Sequence, residues 1–292
     1  MSNIENISKL NVAIRTVKGC GIGNILKGFI SFLSLNENTK MLYDNDYLLG
    51  DYQNIFDKKH IIDKNNDTSE NYSMLFSWRF LILKDEENTQ PHLNNELKDF
   101  NFSIDINNYF KTKFNNQIDL FSESVAIDSF YCRKLISDNV YERIMKGIKR
   151  IEWNETIVKE LNNFVCNIKF PMLGISVRTW EGSHENGVTN YRKYNFNDYK
   201  LAIEKIINNK DNIVNSIYIS YDNDKVEPHF LELLKNFNVI KYKKTKFITE
   251  LQYVTIKMLI LSKCDLFICN RISTFSELVY WFNGCNQTVI DL

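Results

Sequence analysis

The sequence has no surplus of either charge: over 292 residues, 36 Lys and Arg balance 36 Asp and Glu. No global field draws in nucleic acid or an anionic membrane by counterion release, so any anion site must be local. Proline and glycine are scarce, at three and ten residues, and alanine occurs only as Ala13, Ala126 and Ala202. Collagen-like and low-complexity architectures are excluded on that composition. Four scattered histidines form no HExxH pair, and the six cysteines (Cys20, Cys132, Cys166, Cys264, Cys269, Cys285) form no CxxC pair. A zinc framework and a disulfide scaffold are therefore not expected, and the thiols should be mostly buried and reduced. No apolar run approaches the roughly 18 residues of a membrane span. The first residues lack the basic, apolar, small-residue order of a signal peptide, so a cytoplasmic location is the expectation.

What is present is a globular composition, 44% hydrophobic, 13% aromatic and 25% charged. The length is about twice the usual domain, which fits two modest domains or one large α/β domain. Asparagine is abundant, with 38 residues. That bias weakens it as a turn signal.

Hydrophobic spacing then organises the chain. Val12 to Val17 reads as a strand, followed by a glycine cluster and apolar residues Ile22, Ile25, Leu26, Phe29, Phe32 and Leu33 at helical spacing. Residues 58–70 and 84–90 are polar and read as loops, and 94–150 carries amphipathic helical patterns. From Leu173 short β-rich runs alternate with helical segments. The strands are Gly174–Arg178, Ser216–Tyr221, Val239–Tyr242, Asp265–Cys269 and Thr288–Ile290; the helices between them are Asn197–Ile207, His229–Asn236, Leu251–Ser262 and Phe275–Phe282. That alternation predicts a parallel sheet covered on both faces. A boundary near 166–171 divides the chain into 1–168 and 169–292, two α/β domains facing a cleft at their strand carboxyl ends.

Four motifs fall at such ends. Gly19-Cys20-Gly21-Ile22-Gly23-Asn24 lies between a strand and a helix. Its glycines permit close backbone approach, and the helix start offers N–H groups to an anion. It is not a P-loop, because Phe29 stands where the lysine must be. The third glycine comes one residue early for a dinucleotide fingerprint, although Asp44 sits where a ribose-binding acid would; ligand loop, structural turn and nicotinamide site all remain open. Second, Arg178 ends a strand otherwise written for burial and needs an anionic partner, either a ligand or a structural salt bridge. Glu181, His184 and Glu185 follow it as possible acid or base groups, Glu181 ranking first. Third, the DxD spacing of Asp222 and Asp224 in SYDND resembles a divalent-metal site for a nucleotide diphosphate, and equally suits a helix cap or turn; Asp222 is the better functional candidate. Fourth, in LSKCDLFICNRISTFSEL (261–278), Ser273, Thr274, Phe275 and Ser276 open a helix, as a cap or as a phosphate grip.

Together these pieces resemble the GT-B fucosyltransferase superfamily of α1,2-, α1,6- and protein O-fucosyltransferases. The resemblance rests on the GxGN loop (Gly21–Asn24), GISVRTW, ISYDND and SKCDLFICNRISTFSELVYWF, and covers about 174–292 plus the loop near residue 20. It implies an α/β GT-B fold of two Rossmann-like domains, with a carboxyl-terminal parallel sheet that binds a nucleotide-sugar donor. It further implies inverting transfer of fucose from GDP-fucose to a glycan hydroxyl, with no metal and no cofactor beyond the donor. Carried over, Arg178 is similar to the arginine that binds the donor diphosphate. Ser273, Thr274 and Phe275 resemble the turn on the β-phosphate, and Asp222 an acid near the nucleotide. Gly21, Gly23 and Asn24 resemble the loop facing donor and acceptor. The chain departs from the pattern at Ser176, where many members have histidine, at Thr179, which replaces the second basic residue, and at Lys257, where several have an acid. The competing expectations are an NAD-dependent Rossmann oxidoreductase using Gly19–Gly23 with Asp44, and a non-catalytic nucleotide- or sugar-binding protein of the same fold.

Overall fold

The computed structural model describes residues 12–15, 21–35, 37–42, 54–62, 74–77, 133–135, 138–181, 194–270 and 273–292. The chain divides into two compact units. One comprises Met1–Ser124, Ile136–Val158 and Thr249–Gln252; the other comprises Val125–Leu135, Lys159–Ile248 and Tyr253–Leu292. No helix among the described residues is long and apolar enough to cross a membrane.

The first unit holds a parallel sheet of order β3-β2-β1-β4, made of β1 (Val12–Arg15), β2 (Lys40–Leu42), β3 (Ile61–Ile62) and β4 (Met74–Ser77). Helix α1 (Ile22–Leu35) follows β1 and buries Ile22, Ile25, Leu26, Phe29 and Leu33 of the stripe its spacing predicts, and Ile30 beside them. It packs against α2 (Asp138–Lys149) at Gly147, where a Cβ would sit 2.3 Å from the Ile30 carbonyl oxygen. Arg150 then donates to the Leu33 carbonyl at 2.6 Å, satisfying an orphan group at the α1 carboxyl end. The segment 58–70, expected as loop, begins instead with a 3₁₀ turn (Lys58–His60) and continues into β3. Asp57 caps that turn by accepting the Lys59 N–H, and His60 anchors it in the core. It is 2% exposed, lies edge-on to Phe29, and its Nε2 accepts the Glu152 N–H at 3.0 Å. Burial holds its pKa below the usual value, with Lys59 adding in the same direction.

The second unit holds a five-stranded parallel sheet of order β7-β6-β5-β8-β9. Its strands are β5 (Met172–Val177), β6 (Ser216–Tyr221), β7 (Val239–Ile240), β8 (Leu266–Cys269) and β9 (Thr288–Asp291). Its helices are α4 (Phe196–Ile207), α5 (Glu227–Leu233), α6 (Glu250–Leu261, whose first turn belongs to the other unit) and α7 (Thr274–Phe282), while α3 (Glu155–Val165) runs from the first unit into the second. The α/β alternation read from the sequence is thus the fold. Boundaries shift: β7 is two residues long, and α5 starts at Glu227, two residues before the expected His229, because Pro228 suits a helix's first turn.

Strand β5 is buried along its whole length, and period two sorts its side chains. Leu173, Ile175 and Val177 join a core with Tyr199, Ile203 and Ile206 of α4 and with Phe230 of α5. Gly174 and Ser176 face the other layer. A Cβ on Gly174 would lie 2.6 Å from the Cys264 sulfur and 3.1 Å from Leu261, so only glycine lets the end of α6 approach this closely. Ser176 Oγ lies 3.5 Å from Ser276 Oγ, which brings the start of α7 beside the end of β5.

Candidate functional site

Polar residues gather at the carboxyl end of the second unit's sheet, where parallel strands release their loops. Arg178 leaves β5 and Asp222 leaves the neighbouring β6. The Arg178 guanidinium lies 2.8 Å from Asp222 Oδ2, while Asp222 Oδ1 accepts both the N–H and the hydroxyl of Thr179 at 2.9 Å. The Arg178 side chain is 39% exposed and that of Asp222 18% exposed. The anionic partner that the sequence demanded for Arg178 is therefore a protein carboxylate. Among the described residues this is the only hydrogen bond of the guanidinium, which carries five N–H donors.

Trp180 lies under the cation, its ring centroid 4.9 Å from the Arg178 carbon Cζ. It is buried and has φ of 61°, a left-handed conformation that a bulky side chain adopts only when its surroundings hold it there. Glu181 turns to the β6 exit, where it pairs with Lys225 at 3.2 Å and accepts from Asn223. His184 and Glu185 lie outside the described residues.

The second element is the start of α7. Ser273 is its N-cap, and its hydroxyl accepts the Ser276 N–H at 3.3 Å. The capping reading of this motif therefore holds for Ser273, and Ser276 is wholly buried against Ser176. Thr274 and Phe275 are partly exposed, and their N–H groups meet no acceptor among the described residues. They, together with the positive end of the helix, are the part of the turn left for an anion.

Asp222 spends both oxygens on Arg178 and Thr179, and Asp224 opens a 3₁₀ turn capped by Asn223. No cluster of three His, Cys, Asp or Glu side chains occurs among the described residues. Lys257, where an acid was expected, donates to the Tyr221 carbonyl at 2.8 Å and lies over the Tyr221 and Tyr253 rings. It thus braces the last residue of β6, directly before Asp222.

The 261–278 motif divides in two. Cys264 packs on Gly174, and Asp265 accepts the Met172 N–H at 2.8 Å, at the opposite end of β5 from the site. Only its second half, from Asn270, reaches the site. Asn270 Oδ1 accepts the Arg178 N–H at 2.8 Å and the Tyr199 hydroxyl, and the Asn270 main-chain carbonyl accepts the Ser273 N–H at 3.3 Å. Burial raises the Tyr199 pKa far above that of a free phenol, so the hydroxyl keeps its proton. Sequence reading noted Thr179 only as a departure from the family pattern, and missed Trp180, Tyr199 and Asn270. The only signal for Asn270 was its place between a buried strand and a capping serine, and the general abundance of asparagine hid it.

The glycine loop belongs to the first unit. Helix α1 begins at Ile22, so Gly23 and Asn24 lie in its first turn. Gly21 is exposed, and a Cβ there would meet nothing within 4 Å. No packing of the described residues requires glycine at 21. Gly19 and Asp44, on which the nicotinamide reading depends, lie outside the described residues.

No family model and no curated protein matches the chain. Solved structures do. POFUT1 in complex with GDP aligns with a TM-score of 0.50 at 12% identity, over 97% of this chain and 98% of that one. NodZ α-1,6-fucosyltransferase soaked with GDP-fucose aligns with a TM-score of 0.52 at 12% identity, over 97% and 95%. Fucosyltransferase NodZ from Bradyrhizobium aligns with a TM-score of 0.51 at 10% identity, over 97% and 96%. The chain has the α/β fold of the GT-B fucosyltransferases, as its motifs implied.

Proposed function

We propose that the chain is an inverting glycosyltransferase of the cytoplasm that moves fucose from GDP-fucose to a sugar hydroxyl of a glycan, without a metal ion. The observation that carries the reading is Arg178: a partly exposed cation at the carboxyl end of a central parallel strand, oriented by Asp222 and Trp180, with most of its N–H donors unspent among the described residues. Fold likeness to fucosyltransferases solved with GDP and with GDP-fucose supports the choice of donor class.

In this reading residues 169–292 bind the donor, and 1–168 supply the acceptor side, with Gly21, Gly23 and Asn24, at the start of α1, meeting donor and acceptor. The acceptor oxygen bonds to the sugar's anomeric carbon as the bond to the β-phosphate oxygen breaks. Charge builds on the departing diphosphate, and Arg178 with the Thr274 and Phe275 N–H groups meets it there. Ser273 and Ser276 hold that turn in shape through the cap. Asp222 fixes the guanidinium and keeps it from swinging into solvent. The acceptor proton goes to a base, a role we assign to Glu181, whose carboxylate is partnered by Lys225.

The test is a thermal-shift series with GDP, UDP and NAD, each with and without magnesium, followed by transfer assays from GDP-fucose. A GDP-specific shift indifferent to magnesium, followed by transfer, is expected. A response to NAD alone would overturn the reading, and GDP binding without transfer across a broad acceptor set would reduce it to a binding protein.

A further inference from the structure

We infer that Asn270 is a positioning residue that sets the spacing between the Arg178 cation and the start of α7; the inference rests on the donor-site reading above. One residue joins the two anion-binding elements through two different carbonyls. Its side-chain oxygen receives the Arg178 N–H at 2.8 Å, and its main-chain oxygen receives the Ser273 N–H at 3.3 Å.

The chemistry fixes how the carboxamide is turned. The Arg178 N–H can only donate, so the atom that meets it is Oδ1. The same oxygen receives the Tyr199 hydroxyl, and the two donors fill its lone pairs. Tyr199 is itself enclosed by the core. It is 1% exposed, its ring packs against Phe230 at 5.6 Å, and its hydroxyl also lies 3.1 Å from the Ser176 carbonyl. Helix α4 thus buttresses Asn270 from behind, and Asn270 holds the first residue beyond β5.

The consequence is preorganisation. Arg178 has left the sheet: Asp222 holds its guanidinium and the residue after it, and Asn270 holds its own N–H, so without the Asn270 bond the Arg178 peptide is tied on the β6 side alone. The Ser176–Ser276 contact brings α7 beside β5, and Asp222 clamps the exit of β5 to β6, but neither ties the Arg178 backbone to the start of α7. A diphosphate that needs both the cation and the helix N–H groups gains from having their separation set before it arrives. Asn270 need not touch the ligand to do this.

Calorimetric titration of GDP into the full chain tests the inference, using wild type, Asn270→Leu, Asn270→Asp, Arg178→Ala and the Arg178→Ala/Asn270→Leu double variant. Asn270→Leu should weaken GDP binding about tenfold or more. Asn270→Asp keeps an acceptor for both donors and should recover to within about threefold of wild type. In the Arg178→Ala background, Asn270→Leu should add less than about twofold, because its effect acts through Arg178. Equal losses in both backgrounds would overturn the inference, as would wild-type affinity in Asn270→Leu. Should Asn270→Leu fail to fold, Tyr199→Phe strikes the same oxygen while keeping the ring packing; a threefold to fivefold loss is expected, and none would overturn the proposal. Wild type that does not bind GDP overturns the donor-site reading and this inference with it; GDP binding unaffected by these variants overturns the inference alone.

Discussion

Asp222 holds Arg178 with one carboxylate oxygen, at 2.8 Å, and holds the residue after it with the other. The pair is a clamp on the exit of β5 more than a source of stability. Arg178 is partly exposed, and ion pairs in such settings contribute roughly 0–1 kcal/mol. Function and folding are therefore separable at this position.

Arg178→Ala should lower turnover from GDP-fucose by about 100-fold or more, the usual cost of removing one preorganised donor to a developing anion. Its melting temperature should stay within a few degrees of wild type. Parallel melts and initial-rate assays check both halves, and undiminished transfer would remove Arg178 from the mechanism.

Gly174→Ala should destabilise the second unit by about 1–3 kcal/mol through overpacking against Cys264. Cys264→Ala in the same chain removes the sulfur that a Cβ would strike at 2.6 Å. The double variant should then melt above Gly174→Ala alone. Two losses that simply add would show that the contact is not the cause.

His60 gives the first unit a pH dependence whose sign follows from its depressed pKa. The unfolded chain takes up the proton first, so this contribution is complete above about pH 6.5 and is lost as pH falls toward the folded-state value, at no more than about 1.4 kcal/mol per pH unit. Urea midpoints between pH 8 and 5 should fall on the acid side. In His60→Gln that component should be flatter, and an unchanged slope would assign the dependence to other groups.

Thiol labelling should separate the described cysteines by environment. Cys166 is exposed, whereas Cys264 and Cys285 are buried and their pKa values are raised by that burial, Cys285 to about 12. With a small alkylating agent at neutral pH, peptide mapping should find Cys166 modified and these two protected until the unit unfolds. Early labelling of Cys285 would contradict its placement.

The sheet of the second unit was legible because its strands and helices carry unambiguous periods: the strand predicted at Ser216–Tyr221 has those limits, and the helix predicted from Phe275 starts one residue earlier. Arg178 and Asp222 could be read individually, as charges at strand ends. Their pairing could not, because it depends on the register of β5 against β6, which places the two strand ends side by side and which local pattern does not carry. Tyr199 read only as an apolar position of α4. Its hydroxyl's partner lies 71 residues away, a separation over which local pattern carries no information. The short β3 was hidden by the polar residues around Ile61 and Ile62, whose strand character comes from pairing with β2.

Strand β8 is flanked by two side chains that accept from β5: Asp265 takes the Met172 N–H and Asn270 takes the Arg178 N–H. Strand ends ordinarily fray, but here each extremity is tied across to a neighbour. Deuterium exchange at those two amides should therefore proceed only with opening of the whole unit, as slowly as at the centre of the sheet. Exchange that slow would mean that the sheet end carrying Arg178 is held over hours as firmly as the core beneath it.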